Sequence, residues 1–328
     1  MAEVLIEHGI GATRALVIDS GTAVEAHFER DDSGPRAGSI AVARLTSILA
    51  PGRRGIVALA GVEALLEPLP RLPEGALLRI EITREAIPEI GRPRLAKARA
   101  IEGAAAPEGF SKPGPDLAQR LAARGLNLTR LAPGGEDRLE AMGWSELIDQ
   151  AQTGHVPFAG GLLTISPTPA MTVIDIDGPG APETLAEAAA GAVAAAVRRF
   201  DIQGSIGVDF PTLEGKAARA RLGELLDMQL PAPFERTAVN GFGFAQIVRP
   251  RARPSLLEQV RAPGFAALEL LRRASRAAPG ARTLVAPPVL IAWLAARPDL
   301  VEALSRQLGG DVSLQADATL AIAASHVV

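Results

Sequence analysis

Two aspartates, each near the end of a short apolar run, are the residues of this chain best suited to do chemistry. Asp175 stands in Met171-Thr172-Val173-Ile174-Asp175-Ile176-Asp177-Gly178, and Asp209 in Ser205-Ile206-Gly207-Val208-Asp209-Phe210. Both runs have the apolar, β-branched character of a strand, with a carboxylate where strand would give way to loop. Two carboxylates side by side repel each other and attract a divalent cation, and magnesium is commonly held by one or two carboxylates plus waters and a substrate phosphate. For a single Asp, a turn or helix-cap role is the blander reading. Two at matching places, with Asp177 close by, point to a metal.

The segment between the two runs must bring them together. Glu183 to Phe200 is Ala-rich, follows Pro182 and carries Arg198 and Arg199 at its end. Proline and an acidic residue suit a helix start, and basic residues suit its last turn. Strand, helix, strand predicts a right-handed crossover joining two parallel strands. Parallel neighbours end at the same edge, where ligands of such sheets bind. Asp175 and Asp209 are thus the expected catalytic pair, with Asp177 as a third candidate metal ligand.

Three motifs in order resemble the ribonuclease E/G family. Gly160-Gly161-Leu162-Leu163-Thr164-Ile165-Ser166-Pro167-Thr168-Pro169-Ala170 leading into Val173-Ile174-Asp175-Ile176-Asp177 is similar to its catalytic region. Ile206-Gly207-Val208-Asp209-Phe210 resembles its second acidic strand. Gly241-Phe242-Gly243-Phe244 through Arg249-Pro250-Arg251-Ala252-Arg253-Pro254-Ser255-Leu256 resembles its arginine-rich segment. The resemblance implies an α+β fold: an N-terminal RNase H-like body (1–38, resumed at 101–158), an inserted OB-fold barrel (39–100), a DNase I-like catalytic domain (159–258) and a small C-terminal αβ domain (259–328). It also implies magnesium, with manganese as a substitute, single-stranded RNA as partner, and RNA-backbone contacts from Arg236, Arg249, Arg251 and Arg253; Lys216, by its place just after Asp209, is a further candidate for such a contact.

The departures from that pattern are specific. The chain has no Cys, so the thiolate zinc link between family subunits cannot form and no zinc is expected; a homodimer would have to do without it. Gly38-Ser39-Ile40 through Pro68-Leu69 resembles the first half of the family barrel, yet residues 39 to 100 contain no aromatic side chain. Bases stack on aromatic rings in such barrels, and here Ile56, Leu59 and Leu66 stand in that stretch. Thr129-Arg130 reverses the family's 5′-phosphate-sensing pair, and that role is not carried over. Asp177 stands where the family has Asn.

Composition bounds these readings. The chain has 328 residues, 48% hydrophobic and 22% charged, enough for more than one structural unit. The net charge of −3 is unusual for an RNA-binding protein, whose phosphate contacts draw on a basic surface. The clusters Arg249, Arg251, Arg253 and Lys216, Arg219, Arg221 offer a local exception. Residues 1 to 20 lack a basic, apolar leader pattern, and no apolar run approaches the roughly 20 residues of a membrane span. A cytoplasmic protein without membrane contact is therefore expected.

Along the chain, Val4–Ile6, Arg14–Asp19 and Thr22–Arg30 predict a β-meander, and Ser39 onward predicts four or five barrel strands. Residues 102–115 are expected as a linker, Asp116–Arg124 and Trp144–Gln152 as short helices stopped by Gly125 and Gly154, and Lys216–Leu230 as a helix. Three functions stay open at this level: a magnesium-dependent endoribonuclease acting on single-stranded RNA, an RNA-binding or assembly protein that cleaves poorly, and a metal-dependent phosphoesterase acting on smaller nucleotides. Retention of both aspartates favours the first.

Overall fold

The computed structural model describes residues 2–89, 94–105 and 107–328 and is a mixed α+β structure. The expected barrel stretch 39–100 and linker 102–115 are covered except for 90–93 and 106, which lie outside the described residues. The chain opens with β1 (Glu3–Gly9), β2 (Ala12–Asp19) and β3 (Thr22–Arg30), an antiparallel meander as expected. It continues through β4 (Ile40–Ala50), β5 (Arg54–Leu59), β6 (Val62–Leu66), β7 (Leu77–Arg84), β8 (Ala96–Ala100) and β9 (Gly109–Lys112).

Strand β4 pairs with both β5 and β7, so the order β4-β5-β6-β8-β7 closes into a five-stranded barrel, with β6 and β8 parallel. Period-two alternation fills its interior: Ala41, Ala43 and Leu45 from β4, Val57 and Leu59 from β5, Ala64 and Leu66 from β6, Leu78, Ile80 and Ile82 from β7, Ala96 and Ala98 from β8. Small residues on β4 and β8 face large ones on β7, which is how a narrow barrel fills without voids. Leu59 and Leu66 are thus core, while Ile56 alternates outward. Strand β9 lies outside the ring, paired to β4. A segment expected to be wholly linker therefore contains a short strand, because an open edge of β4 was available to it.

The chain then returns to the first sheet. Helix α1 (Leu117–Ala122) starts at the Asp116 N-cap, whose carboxylate accepts from Gln119 N at 2.8 Å while the Gln119 side chain accepts from Asp116 N at 2.9 Å. Strand β10 (Asn127–Leu131) adds parallel to β1. Helices α2 (Arg138–Ala141) and α3 (Trp144–Thr153) follow, the latter ended by Gly154 in the left-handed region.

The second sheet is built from β11 (His155–Phe158), β12 (Gly161–Pro167), β13 (Thr172–Asp177), β14 (Gly204–Asp209), β15 (Glu235–Arg236) and β16 (Phe244–Arg249), in the order β11-β12-β13-β14-β16-β15. Helix α4 (Pro182–Arg199) makes the expected crossover from β13 to β14, which are parallel. Helix α5 (Lys216–Gln229) packs against α4. Alanine dominates α4 for a steric reason: the helix touches β12 of this sheet, β3 of the first sheet and α5, so most of its circumference is buried.

The remainder comprises α6 (Leu256–Gln259), α7 (Pro263–Ala274), β17 (Arg282–Ala286), α8 (Pro288–Ala295), α9 (Pro298–Leu308), β18 (Val312–Ala316) and β19 (His326–Val327), with the three strands ordered β18-β17-β19. One buried cluster extends from Leu5 to Leu308 through both large sheets and this terminal unit, while the barrel keeps its own core. A buried ionic network fastens α7 to the first sheet. Arg14 is 0% exposed; its Nε donates to Glu269 Oε1 at 2.6 Å and its Nη2 to the Leu268 carbonyl at 2.9 Å. Trp144 Nε1 donates to the other Glu269 oxygen at 3.0 Å, and Arg276 pairs with buried Glu7.

Candidate active site

Alternation along β13 and β14 decides which residues meet. Ile174, Ile176, Ile206 and Val208 are buried toward the helices, so Asp175, Asp177 and Asp209 fall on the opposite, exposed face. Asp175 and Asp209 are register partners across the parallel pair, with backbones about 4.8 Å apart at the ordinary strand spacing. The same lateral row continues in both directions: His155 opposite Thr164, Thr164 opposite Asp175, and Asp209 opposite Phe244. Asp177 lies one step further along β13 on the same face, opposite Leu162.

Among the described residues, none of the three aspartates has a side-chain hydrogen bond or ion pair recorded with another residue. These carboxylates are therefore not consumed by turns or helix caps. The described residues contain no group of three or more His, Asp or Glu side chains arranged to hold a metal, so Asp177 does not join the pair into a three-carboxylate cage. Two adjacent carboxylates with open solvent in front still suit magnesium, which keeps most of its ligands as water and phosphate oxygen. On this donor set, Asp175 and Asp209 would hold the ion.

Of the basic residues expected beside the aspartates, Lys216 is exposed as the first residue of α5, after the loop that follows Asp209. Arg236 is directed elsewhere: it lies opposite buried Ile247, its Nε and Nη2 donate to Asp227 at 2.7 and 2.6 Å, and its guanidinium sits against Gly223 of α5. Arg249 is the register partner of Gly204, at the far end of β14, five residues or roughly 16 Å from Asp209. Its Nη1 donates to the Ile202 carbonyl at 2.6 Å, Arg251 pairs with Glu258, and Arg253 pairs with Asp201 at 3.3 Å. The Nε atoms of all three are buried. Arg249 and Arg253 border a cavity of about 690 Å³ also lined by Arg120, Arg124, Arg198 and Glu25, on the side away from the carboxylate row. Arg249, Arg251 and Arg253 thus each have an internal partner at one terminal nitrogen, while their buried Nε atoms have none among the described residues.

Glu25 is the hub of that cavity. Burial would raise its carboxyl, but hydrogen bonds from Arg124 and His27 prevail and hold it well below the usual carboxylate range. Arg198 at the end of α4 donates to the same carboxylate at 2.9 Å, so Glu25 ties β3 to α4 and to Arg124, just past the end of α1.

The sequence motifs contain Thr164, Phe242 and Phe244 but gave them no role, and His155 was not singled out; His155, Thr164 and Phe244 lie in the carboxylate row. The available signal was the pattern Gly241-Phe242-Gly243-Phe244 preceded by Asn240: a turn residue, then aromatics separated by glycine.

No family model and no curated protein sequence matches this chain. Among the described residues, no helix is long and apolar enough to cross a membrane.

Proposed function

We propose that the chain is a magnesium-dependent endoribonuclease acting on single-stranded RNA, with Asp175 and Asp209 as its catalytic carboxylates. One observation carries this reading: the two aspartates are register partners at the carboxyl edge of a parallel pair, on an exposed face. The motif resemblance from Gly160 to Leu256 supplies the reaction class. In this reading the closed barrel is an OB-type unit inserted in an RNase H-like body, and the β11–β16 sheet is the DNase I-like catalytic unit. The barrel's strand order, with its one parallel contact between β6 and β8, is compatible with an OB fold.

Magnesium, when bound, polarises a phosphoryl oxygen and lowers the pKa of a water. The protein's own contribution is positional. Asp175 and Asp209 are fixed by backbone pairing on both sides, since each sits between two hydrogen-bonded strands, so little rearrangement is needed to receive an ion. Lys216, exposed at the start of α5 after the loop that follows Asp209, offers a phosphate contact. Thr164 places a hydroxyl next to Asp175 in the row, and Asp177 extends the negative field along β13.

The test is cleavage of a fluorescent single-stranded RNA with magnesium and with EDTA, comparing wild type with Asp175→Asn and Asp209→Asn. Magnesium-dependent cutting abolished by either substitution is the expected result; cutting that survives both overturns the assignment. The internal pairing of Arg249, Arg251 and Arg253 favours one alternative, a protein of this fold that binds RNA and cleaves it weakly, which binding without cutting by the wild type would support.

A further inference from the structure

We infer that Phe242 and Phe244 form a base-stacking platform beside the carboxylate row, so that the site takes unpaired nucleobases as well as phosphate. The inference deepens the nuclease reading and rests on it for the course of the strand past Asp209. Phe242 is 84% exposed, the most exposed large apolar side chain among the described residues. A single exposed ring is unremarkable by itself; what matters is how it is held and where.

The turn that carries it is built rigidly. Asn240 Oδ1 accepts from Phe242 N at 2.9 Å and from Phe244 N at 3.0 Å, and the Asn240 carbonyl accepts from Gly243 N at 3.2 Å. Gly243 has φ +92°, and a Cβ there would lie 2.1 Å from the Phe210 carbonyl oxygen, so only glycine lets the turn press against the segment leaving β14. The Gly243 carbonyl accepts from Phe210 N at 3.2 Å, and Thr212 Oγ1 donates to the Phe242 carbonyl at 3.4 Å. Phe242 is therefore fixed to the residues that immediately follow Asp209.

The second ring lies on the sheet itself. Phe244 is the register partner of Asp209, and a Cβ on Gly207 would come within 2.8 Å of its Cζ and 2.9 Å of Met171 Sδ. Glycine at 207 is what lets the Phe244 ring lie against the open face. Phe244 is thus the register partner of Asp209, and Phe242 stands two residues before Phe244 in a turn tied to the chain that leaves Asp209, whereas residues 39–100 contain no aromatic residue. Stacking on an aromatic face is available to every base, which fits a single-stranded substrate without strong sequence preference.

The experiment uses the full chain carrying Phe242→Trp, titrated in EDTA with a short oligoadenylate and with an abasic strand of equal length. The native Trp144 is buried and Trp293 is covered by Arg297, so the new indole is the reporter. Saturable quenching by oligoadenylate and none by the abasic strand is expected. Phe242→Ala should weaken oligoadenylate binding roughly five- to hundred-fold, and Phe110→Ala, an exposed ring on β9, should leave it unchanged. Absence of quenching, or equal binding of the abasic strand, overturns the platform. Because this readout needs neither metal nor cleavage, it separates two failures. Quenching without Asp209-dependent cutting would sink the nuclease reading alone, and Asp209-dependent cutting with an indifferent Phe242 would sink the platform alone.

Discussion

Asp175 and Asp209 share the last register position of β13 and β14, the one parallel pair in their sheet among the described residues. Like charges directly opposite on neighbouring strands cost roughly 0.2–1 kcal/mol. Asp209→Asn is therefore expected to raise the melting temperature in EDTA by about one to a few degrees. Magnesium should stabilise the wild type more than either Asn variant. Thermal melts with and without magnesium check this; a variant that melts below wild type in EDTA would argue against a repelling pair.

Lys216 and Arg236 make a contrasting pair for RNA binding. Lys216 is exposed at the start of α5, while Arg236 is committed to Asp227. Lys216→Ala should lower affinity uniformly across sequences and flatten the salt dependence by about 0.7 in slope, one phosphate contact for a single strand. Arg236→Ala should leave that slope alone and lower the denaturation midpoint instead. Anisotropy titrations at several salt concentrations distinguish the two.

The Arg14–Glu269 pair joins β2 to α7 with an arginine that is fully buried. Removing one member of a buried pair costs roughly 3–5 kcal/mol when the other is left unpaired; Glu269 keeps Trp144 at 3.0 Å and Arg272 at 3.7 Å, which places the loss at the lower end. Arg14→Ala is expected to lose about that much in urea unfolding, the cation–π contact with Phe28 included. A loss under about 1 kcal/mol, the range of a surface pair, would show that the network is dispensable.

Glu25 sets an acid limit on stability. Its folded carboxyl titrates well below the ordinary glutamate value of 4.5, so the stability it supplies is complete above that value and is lost as pH falls below it. Glu25→Gln should be less stable than wild type near neutrality, and the gap should narrow below about pH 4. Urea midpoints measured across that window test the sign; a gap that widens on acidification contradicts it.

How much of this could be read from residues alone depended on the range of the interaction. The β13–α4–β14 unit was legible because Pro182, Arg198 and two apolar runs mark it within forty residues, and the Asp116 cap and Gly154 stop were legible because they act locally. Strand β9 was not, since Gly109–Lys112 is exposed and exists through its pairing with β4. Helix α9 was missed although Leu300, Val301, Leu304 and Leu308 mark one face. The internal partners of the arginines were not legible either. Arg253 finds Asp201 across 52 positions and Arg249 finds the Ile202 carbonyl across 47, so nothing nearby in the sequence announces that they are occupied.

The barrel enters and leaves the body through a single narrow neck. Gly114 N donates to Ser39 Oγ at 2.8 Å, and a Cβ on Gly114 would lie 2.5 Å from the Ala37 carbonyl oxygen, so the outgoing and incoming chains touch. An insertion whose two ends already meet asks almost nothing of its host when its length changes, because the host closes the same short gap in either case. The barrel is in that sense a graft with a second anchor: beyond the neck, Glu85 N donates to the Ala252 carbonyl at 2.8 Å and Arg94 donates to the Pro169 carbonyl, in the turn that leads into the strand carrying Asp175.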